Sequence, residues 1–191
     1  VLVDPDPFDS SNLTRVYGTF ASDLTKPSSC IRRPVLKVEL IARHLRQINP
    51  GATIRTLPRN IVLQDAAAAL LDREIIFLCT DNHWSRAVVN QIAYQYLIPA
   101  INFGIRIDAR DGTISGATGV VDVLRPDVPC LWCRQSLSAD RIAAESLPMS
   151  QRQALLRESY VEDVDTPTPA VVSLTTTASG LGVTLFLQYT F

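Results

Sequence analysis

The sequence predicts an α/β fold: an open sheet, mostly parallel, with helices on both faces and a helical C-terminal appendage. Three observations predict it. Ile75-Ile76-Phe77-Leu78-Cys79 is a continuous apolar run between polar segments, the pattern of a parallel strand buried on both faces. Runs of this kind alternate with segments of helical periodicity, as an open α/β sheet requires. The 191 residues are 47% hydrophobic and 19% charged, enough apolar surface to bury a sizeable core. The arrangement is Rossmann-like.

The elements follow in order. Val1-Leu2-Val3 reads as the end of an interior strand, with Asp4 at its carboxyl edge. A domain rarely opens on such a strand, so one strand and its loop are expected before residue 1. Pro5 and Pro7 break the next residues into a turn, and Ser10-Ser11-Asn12 reads as a cap for a short helical turn. Residues 21–34 read as an irregular loop carrying Lys26, Arg32 and Arg33. Val38, Ile41, Leu45 and Ile48 recur at helical spacing, so residues 35–48 form an amphipathic helix that Asn49-Pro50-Gly51 stops. A short strand is expected over 52–57 and an alanine-rich helix over 64–71. Thr80-Asp81-Asn82 ends the Ile75–Cys79 strand, and a helix follows over 83–96. Ala100–Ile107 and Val120–Leu124 are further strands, with a turn signal at Asp111-Gly112-Thr113. Beyond Cys130-Leu131-Trp132-Cys133, two short helices are expected at 138–147 and 150–158, then a proline-bearing loop at 163–169 and a last helix. The organisation is a core over 1–129 and a C-terminal segment of the same domain over 130–191.

Composition excludes several classes. Eighteen lysines and arginines against nineteen acids give a net charge of −1, which excludes a nucleic-acid binder that works by bulk positive charge. Four cysteines are too few for a disulfide-built fold and suit a reducing, cytoplasmic compartment. The first residues lack the basic-then-apolar order of a signal peptide. Residues 170–191 carry no charge and are long enough to span a bilayer. They also hold four threonines, two serines and a glutamine before Tyr189, so a buried core helix and no membrane contact are expected.

Ligands of open α/β sheets sit beyond the carboxyl ends of the strands. Asp4 and Asp81 occupy such places. A carboxylate there accepts two hydrogen bonds from a ribose, but near polyphosphate it needs Mg²⁺ between itself and the phosphates. Arg15 and Lys37 are the cations that a triphosphate requires, a rigid fork and a point charge. Lys37 lies in the first turn of its helix, where the dipole disfavours a cation and favours an anionic ligand. On the residues alone, the two acids also suit solvated turns, and Lys37 suits an ordinary surface.

These residues carry a resemblance. Asp4-x-Asp6-x5-Asn12-Leu13-x-Arg15, Lys37-Val38-Glu39 followed by Ile48-Asn49-Pro50, Cys79-Thr80-Asp81-Asn82, and Cys130-x-x-Cys133 resemble, in order and over nearly the whole chain, the ThiF/MoeB/HesA adenylyltransferases, which are similar to ubiquitin-activating enzymes. The resemblance implies that Asp4 binds the ribose of ATP, that Asn12, Arg15 and Lys37 contact its phosphates, and that Asp81 works with Mg²⁺. Arg15, Lys37 and Asp81 would be the catalytic residues. The implied reaction is attack by the C-terminal carboxylate of a ubiquitin-like or sulfur-carrier protein, ending in Gly-Gly, on the α-phosphate of ATP. Its products are an acyl-adenylate and pyrophosphate. The family is usually homodimeric.

Three features depart from the family pattern. The glycine-rich turn expected just upstream of Val1 has no match, so the chain is expected to be a fragment or a degenerate copy, and an inactive scaffold subunit is the alternative reading. Zinc is possible through Cys130 and Cys133, but a closed site takes two such pairs and only half of one is present. No cysteine follows Cys133, so a thioester step on the later segment is not expected. Cys30, beside Arg32 and Arg33, could serve as a redox or acceptor thiol, while Cys79 is expected to pack at its strand end. His44 and His83 read as structural or solvated, and Trp84 and Trp132 as packing or interface residues. A nicotinamide-dependent dehydrogenase fits less well: Asn12 and Arg15 have no role there, and no Tyr/Lys pair stands at helical spacing.

Overall fold

The structure is a computed structural model that describes residues 1–24, 34–110, 113–148, 150–152, 154 and 171–190, with side chains left aside at 108–110 and 114. The readings made for Cys30, for the loop at 163–169 and for most of the helix at 150–158 lie outside the described residues. The chain divides into two compact units, Val1–Leu70 and Leu71–Phe191.

In the first unit, β1 (Leu2–Val3) pairs in parallel with β2 (Thr56–Leu57), in the register Leu2 to Thr56 and Val3 to Leu57. Between them come single turns of 3₁₀ helix at Ser10–Asn12 and Ala21–Asp23, and helix α1 (Lys37–Ile48). The cap of the first turn is Asp9, not Ser10: its carboxylate accepts the Ser11 N–H at 2.7 Å, and Asn12 Oδ1 accepts the Asp9 N–H at 3.2 Å. Helix α2 (Gln64–Ala68) closes the unit.

The expected buried stripe of α1 is displaced. Val38, Leu40 and Ala42 are buried, whereas Leu45 and Ile48 are exposed. Leu40 joins a cluster with Phe8 and Val35, flanked by Leu13 and Val16, so the side of the helix facing the 7–16 segment is covered. The two-residue strands under α1 are too short to cover its last turn.

In the second unit, β3 (Ile76–Leu78) pairs in parallel with β4 (Ala100–Arg110), and β4 pairs antiparallel with β5 (Thr113–Leu124). Thus the sheet is parallel except for one long hairpin, and β5 begins seven residues earlier than the apolar pattern shows. The small residues Gly116, Ala117, Thr118 and Gly119 pair through their backbones without an apolar signature. Helices α3 (His83–Gln95), α4 (Ala139–Ser146) and α5 (Val172–Thr190) lie in the same unit. A Cβ at Gly104 would meet Arg86 of α3, and one at Gly182 of α5 would meet Phe103. Residues 103 and 104 point to opposite faces of β4, so α3 and α5 cover opposite faces of this sheet.

Two burial expectations fail here. Ile76 and Leu78 are buried, but Phe77 between them is 45% exposed, although it packs on Phe103 and Phe186. The last helix is not a core helix. Only Ala178 and Gly182 are buried, and Leu181, Val183, Leu187 and Tyr189 are exposed. Its threonines satisfy their hydroxyls on the helix itself; Thr176 Oγ1 donates to Val172 O at 2.7 Å and Thr190 Oγ1 to Phe186 O at 2.7 Å. Among the described residues no helix is long and apolar enough to cross a membrane.

Candidate functional site

In the first unit the geometry starts from a strand end. Asp4 follows β1; its N–H donates to Leu57 O at 3.2 Å, and its Oδ1 accepts the Asp6 N–H at 2.8 Å. The segment then runs antiparallel to the residues before α1, with a bridge between Pro7 and Leu36 and a bond from Phe8 N to Val35 O at 2.7 Å. This crossing sets Asp6 against Lys37. The Lys37 N–H donates to Asp6 O at 3.1 Å, and Lys37 Nζ lies 2.7 Å from Asp6 Oδ2. Lys37 is the first residue of α1, as its sequence position implies.

Asn12 is buried, at 2% exposure. Its carboxamide oxygen holds the Asp9 N–H, and its Nδ2 reaches Ser11 Oγ only at 3.5 Å. Its carbonyl accepts the Arg15 N–H at 3.0 Å, so the buried amide fixes the backbone from which the half-buried Arg15 projects. Asp9 ties the group together. The Ser11 hydroxyl and N–H hold its carboxyl below the ordinary carboxylate range, and the charges of Lys37 and Arg15 lower it further. The structure therefore brings Asn12, Arg15 and Lys37 around the 4–15 turn with two acids, Asp6 and Asp9, to which sequence reasoning assigned no role. The signal was present: three aspartates alternate with prolines over Asp4–Asp9, a pattern that a simple turn does not need.

One further ion pair in this unit was not anticipated. Asp23 is buried and receives both Arg43 Nη1 at 2.5 Å and Nη2 at 2.8 Å, while Nη2 also donates to Gly18 O at 2.8 Å. It anchors the 16–24 segment to α1. Gly18, at φ +73°, lets His44 pack against the backbone; this is the structural role that His44 takes.

In the second unit, Asp81 stands exposed after β3, immediately before the cap of α3. The cap is Asn82, whose Oδ1 accepts the Ser85 N–H at 2.8 Å. Arg86, one turn into α3, was not foreseen. Its Nε and Nη2 donate to Thr80 O at 3.1 and 3.0 Å, and Nη2 also reaches Phe103 O at 3.2 Å. Burial pulls its guanidinium below the ordinary value, and the charges of Asp81, Asp122 and Glu145 oppose that shift. Arg86 thus staples the Thr80-Asp81 turn to β4 and places one positive charge near Asp81. Glu145 of α4 reaches back to the start of α3, accepting the His83 N–H at 3.0 Å and the Trp84 N–H at 2.6 Å. His83 Nδ1 accepts the Ser138 N–H at 3.1 Å, and burial keeps the imidazole below its usual value.

Two buried polar atoms near this turn lack partners among the described residues: Thr80 Oγ1 and Asn102 Oδ1. Asn102 is 3% exposed, and its Nδ2 donates to Asp122, which pairs with Arg134 at 2.5 Å. The exposed carboxylate of Asp81 after a strand end suits a hard divalent cation, which takes one or two carboxylates together with phosphate oxygens. Cys130 and Cys133 supply two of the four donors that a closed zinc site needs, and among the described residues no group of three or more His, Cys, Asp or Glu could hold an ion. Cys79 has surface exposed at its strand end, while burial of its thiol raises it above the ordinary value.

Comparison with known proteins places this geometry. The adenylyltransferase and sulfurtransferase UBA4 of Meyerozyma guilliermondii is 27% identical over 133 residues, which cover 69% of this chain and 27% of that protein. Crystal structures of E. coli MccB show the same fold. The MccB complex with MccA-N7isoASN has a TM-score of 0.65 at 18% identity, covering 96% of this chain and 46% of that one. The complex with ATP has a TM-score of 0.59 at 17% identity, covering 96% and 45%. The chain thus spans about a quarter of the curated relative and less than half of MccB. The ThiF family profile matches residues 1–185, and the chain belongs to the ThiF family.

Proposed function

We propose that this protein adenylates the C-terminal carboxylate of a ubiquitin-like or sulfur-carrier protein with a Gly-Gly tail, using ATP and Mg²⁺ and working in the cytoplasm as a homodimer. One observation carries the reading: the family match over residues 1–185 comes with the ordered residues Asp4, Asn12, Arg15, Lys37 and Asp81, and folding alone has no need of all five. The UBA4 relative is named for adenylyl transfer, and MccB has been crystallised with ATP; both support the reaction class.

The roles are those that the resemblance implies, and the local geometry within each unit supports them. Asp4, at the carboxyl end of β1, accepts the ribose hydroxyls. Arg15 and Lys37 bind phosphate oxygens, with Asn12 holding the Arg15 backbone and offering its weakly bonded Nδ2. Lys37 must exchange Asp6 for phosphate. That exchange is inexpensive because the pair is surface-exposed and contributes at most about 1 kcal/mol, whereas a polyphosphate carries several charges. Asp81 would hold Mg²⁺, which when bound neutralises charge on the phosphates. A carrier carboxylate oxygen then attacks the α-phosphorus, and the bond to pyrophosphate breaks with its electron pair on the leaving group. The repulsion between attacking and attacked anions is the barrier, and fixed cations lower it. Removing one such group costs roughly 10²–10³ in rate.

ATP–pyrophosphate exchange with the full native protein, Mg²⁺ and a panel of carriers ending in Gly-Gly tests this. Carrier-dependent exchange supports the reading. Absence of exchange with every carrier, together with absence of ATP binding by calorimetry, would favour a scaffold subunit of the same fold.

A further inference from the structure

Helix α3 begins on a turn that is held from both sides. On the helix side, Asn82 Oδ1 accepts the Ser85 N–H at 2.8 Å, and Glu145 of α4 accepts the N–H groups of His83 and Trp84 at 3.0 and 2.6 Å. On the strand side, Arg86 reaches back from the next turn of the helix. Its Nε and Nη2 donate to Thr80 O at 3.1 and 3.0 Å, and the same Nη2 donates to Phe103 O of β4 at 3.2 Å. Asp81 stands between these two holds, and it is exposed.

The bonds on the helix side are those that any helix start needs, because its first N–H groups have no partner within the helix. The bonds from Arg86 are not of that kind. A carbonyl at a strand end can be satisfied by water, and withdrawing a guanidinium from water is costly. Arg86 is half-buried, and its hydrogen bonds go to main-chain oxygens and not to a carboxylate. Of the acids whose charge favours the guanidinium, Asp81 acts most strongly. The sheet makes room for it: a Cβ at Gly104 would stand 3.6 Å from Arg86 Nη1, which leaves no space for a larger side chain. Holding Thr80 O fixes the peptide between Thr80 and Asp81, since a peptide moves as a plane. A carboxylate that must meet a cation to within about 0.5 Å gains from a backbone fixed in this way.

We propose that Arg86 is a positioning residue for Asp81: it holds the Thr80–Asp81 peptide against β4, so that the carboxylate is presented to a metal-bound polyphosphate in one orientation. The inference rests on the adenylation reading for the role of Asp81 and adds the residue through which that role is set. Arg86 acts through Asp81, with no nucleotide contact of its own.

The test is a double-mutant cycle on the full native protein, read as binding of Mn²⁺ with ATP by electron paramagnetic resonance, with melting temperatures alongside. Arg86→Met should weaken Mn²⁺ binding in the presence of ATP by roughly 10–100-fold, the usual effect of removing a group that orients a metal ligand. Asp81→Ala should weaken it as well. Adding Arg86→Met to Asp81→Ala should weaken it no further, because residues that act as one unit are not additive. Arg86→Lys should recover part of the loss, since one ammonium can stand where Nη2 bridges the two carbonyls. If Arg86→Met does not fold, Gly104→Val, whose side chain displaces the guanidinium, takes its place in the same cycle. Arg86→Met that binds Mn²⁺ and ATP as tightly as the unmodified protein would overturn the proposal. So would losses that multiply in the double variant, the mark of a structural role unrelated to Asp81. An unmodified protein that binds no Mn²⁺ with ATP would overturn the adenylation reading itself, and this inference with it.

Discussion

Lys37 shows how a functional side chain can be stored. Its ammonium rests on Asp6 in an exposed pair, which costs little to open. Asp6→Asn is therefore expected to change unfolding free energy by less than about 1 kcal/mol in urea titrations, while Lys37→Ala weakens MgATP binding about tenfold by calorimetry, the share of one charge-assisted contact. Equal, small effects of both on ATP would remove Lys37 from the site. Gly18 is the other residue whose identity the geometry fixes. It has positive φ, and a Cβ there would lie 2.1 Å from the His44 ring. Gly18→Ala should cost roughly 1–3 kcal/mol of stability; an unchanged denaturation midpoint would contradict that packing. At this scale the sequence displayed the charged residues and their spacing. It hid which of them pair: Asp6 with Lys37 and Asp23 with Arg43 are 31 and 20 residues apart, and Arg86 looked like an ordinary helix arginine until β4 supplied Phe103 O.

At the scale of elements, α3 and α4 are joined through His83. Its Nδ1 must keep a lone pair to accept the Ser138 N–H, so only the neutral ring serves. Burial lowers its folded-state value, with Arg141 and Arg86 adding to the shift and Glu145 opposing it. The native state then binds fewer protons than the unfolded chain. Its contribution is complete above the ordinary histidine value of about 6.5 and is lost as pH falls through that value towards the folded one. His83→Gln should flatten the decline in melting temperature between neutral and mildly acidic pH; an unaltered profile would show that the ring does not report this contact. Helix α5 gives a second prediction. Replacing a helix-interior glycine usually stabilises by about 1 kcal/mol, but a Cβ at Gly182 would lie 2.2 Å from the Phe103 ring, which is stacked on Phe77. Gly182→Val should therefore destabilise, with altered near-ultraviolet dichroism, and Gly180→Ala, where space is open, should not. The existence of α5 was legible from the long uncharged run that follows the proline-bearing segment. Its exposure was not, because uncharged composition does not distinguish a buried helix from one whose threonines bond to their own carbonyls. The β4–β5 hairpin was half-legible for a similar reason: the turn signal and the Val120–Leu124 run were visible, and the small-residue half of β5 was not.

For the molecule as a whole, the order of motifs carried more than any element did. Local periodicity gave α/β architecture, and the ordered acids and cations gave the family, which the match over residues 1–185 shows. The carrier was not legible, because the tail of a partner is read by a surface and not by a spaced motif. The central claim is that a carboxylate is activated at phosphorus. It is tested most directly by single-turnover mass spectrometry of a Gly-Gly carrier mixed with the full protein and MgATP. The account predicts a carrier species heavier by one adenylyl group, formed with release of pyrophosphate and reduced roughly 100-fold or more in Asp81→Ala. ATP cleaved to ADP and phosphate with an unmodified carrier would contradict it, as would an adenylate formed equally well by Asp81→Ala.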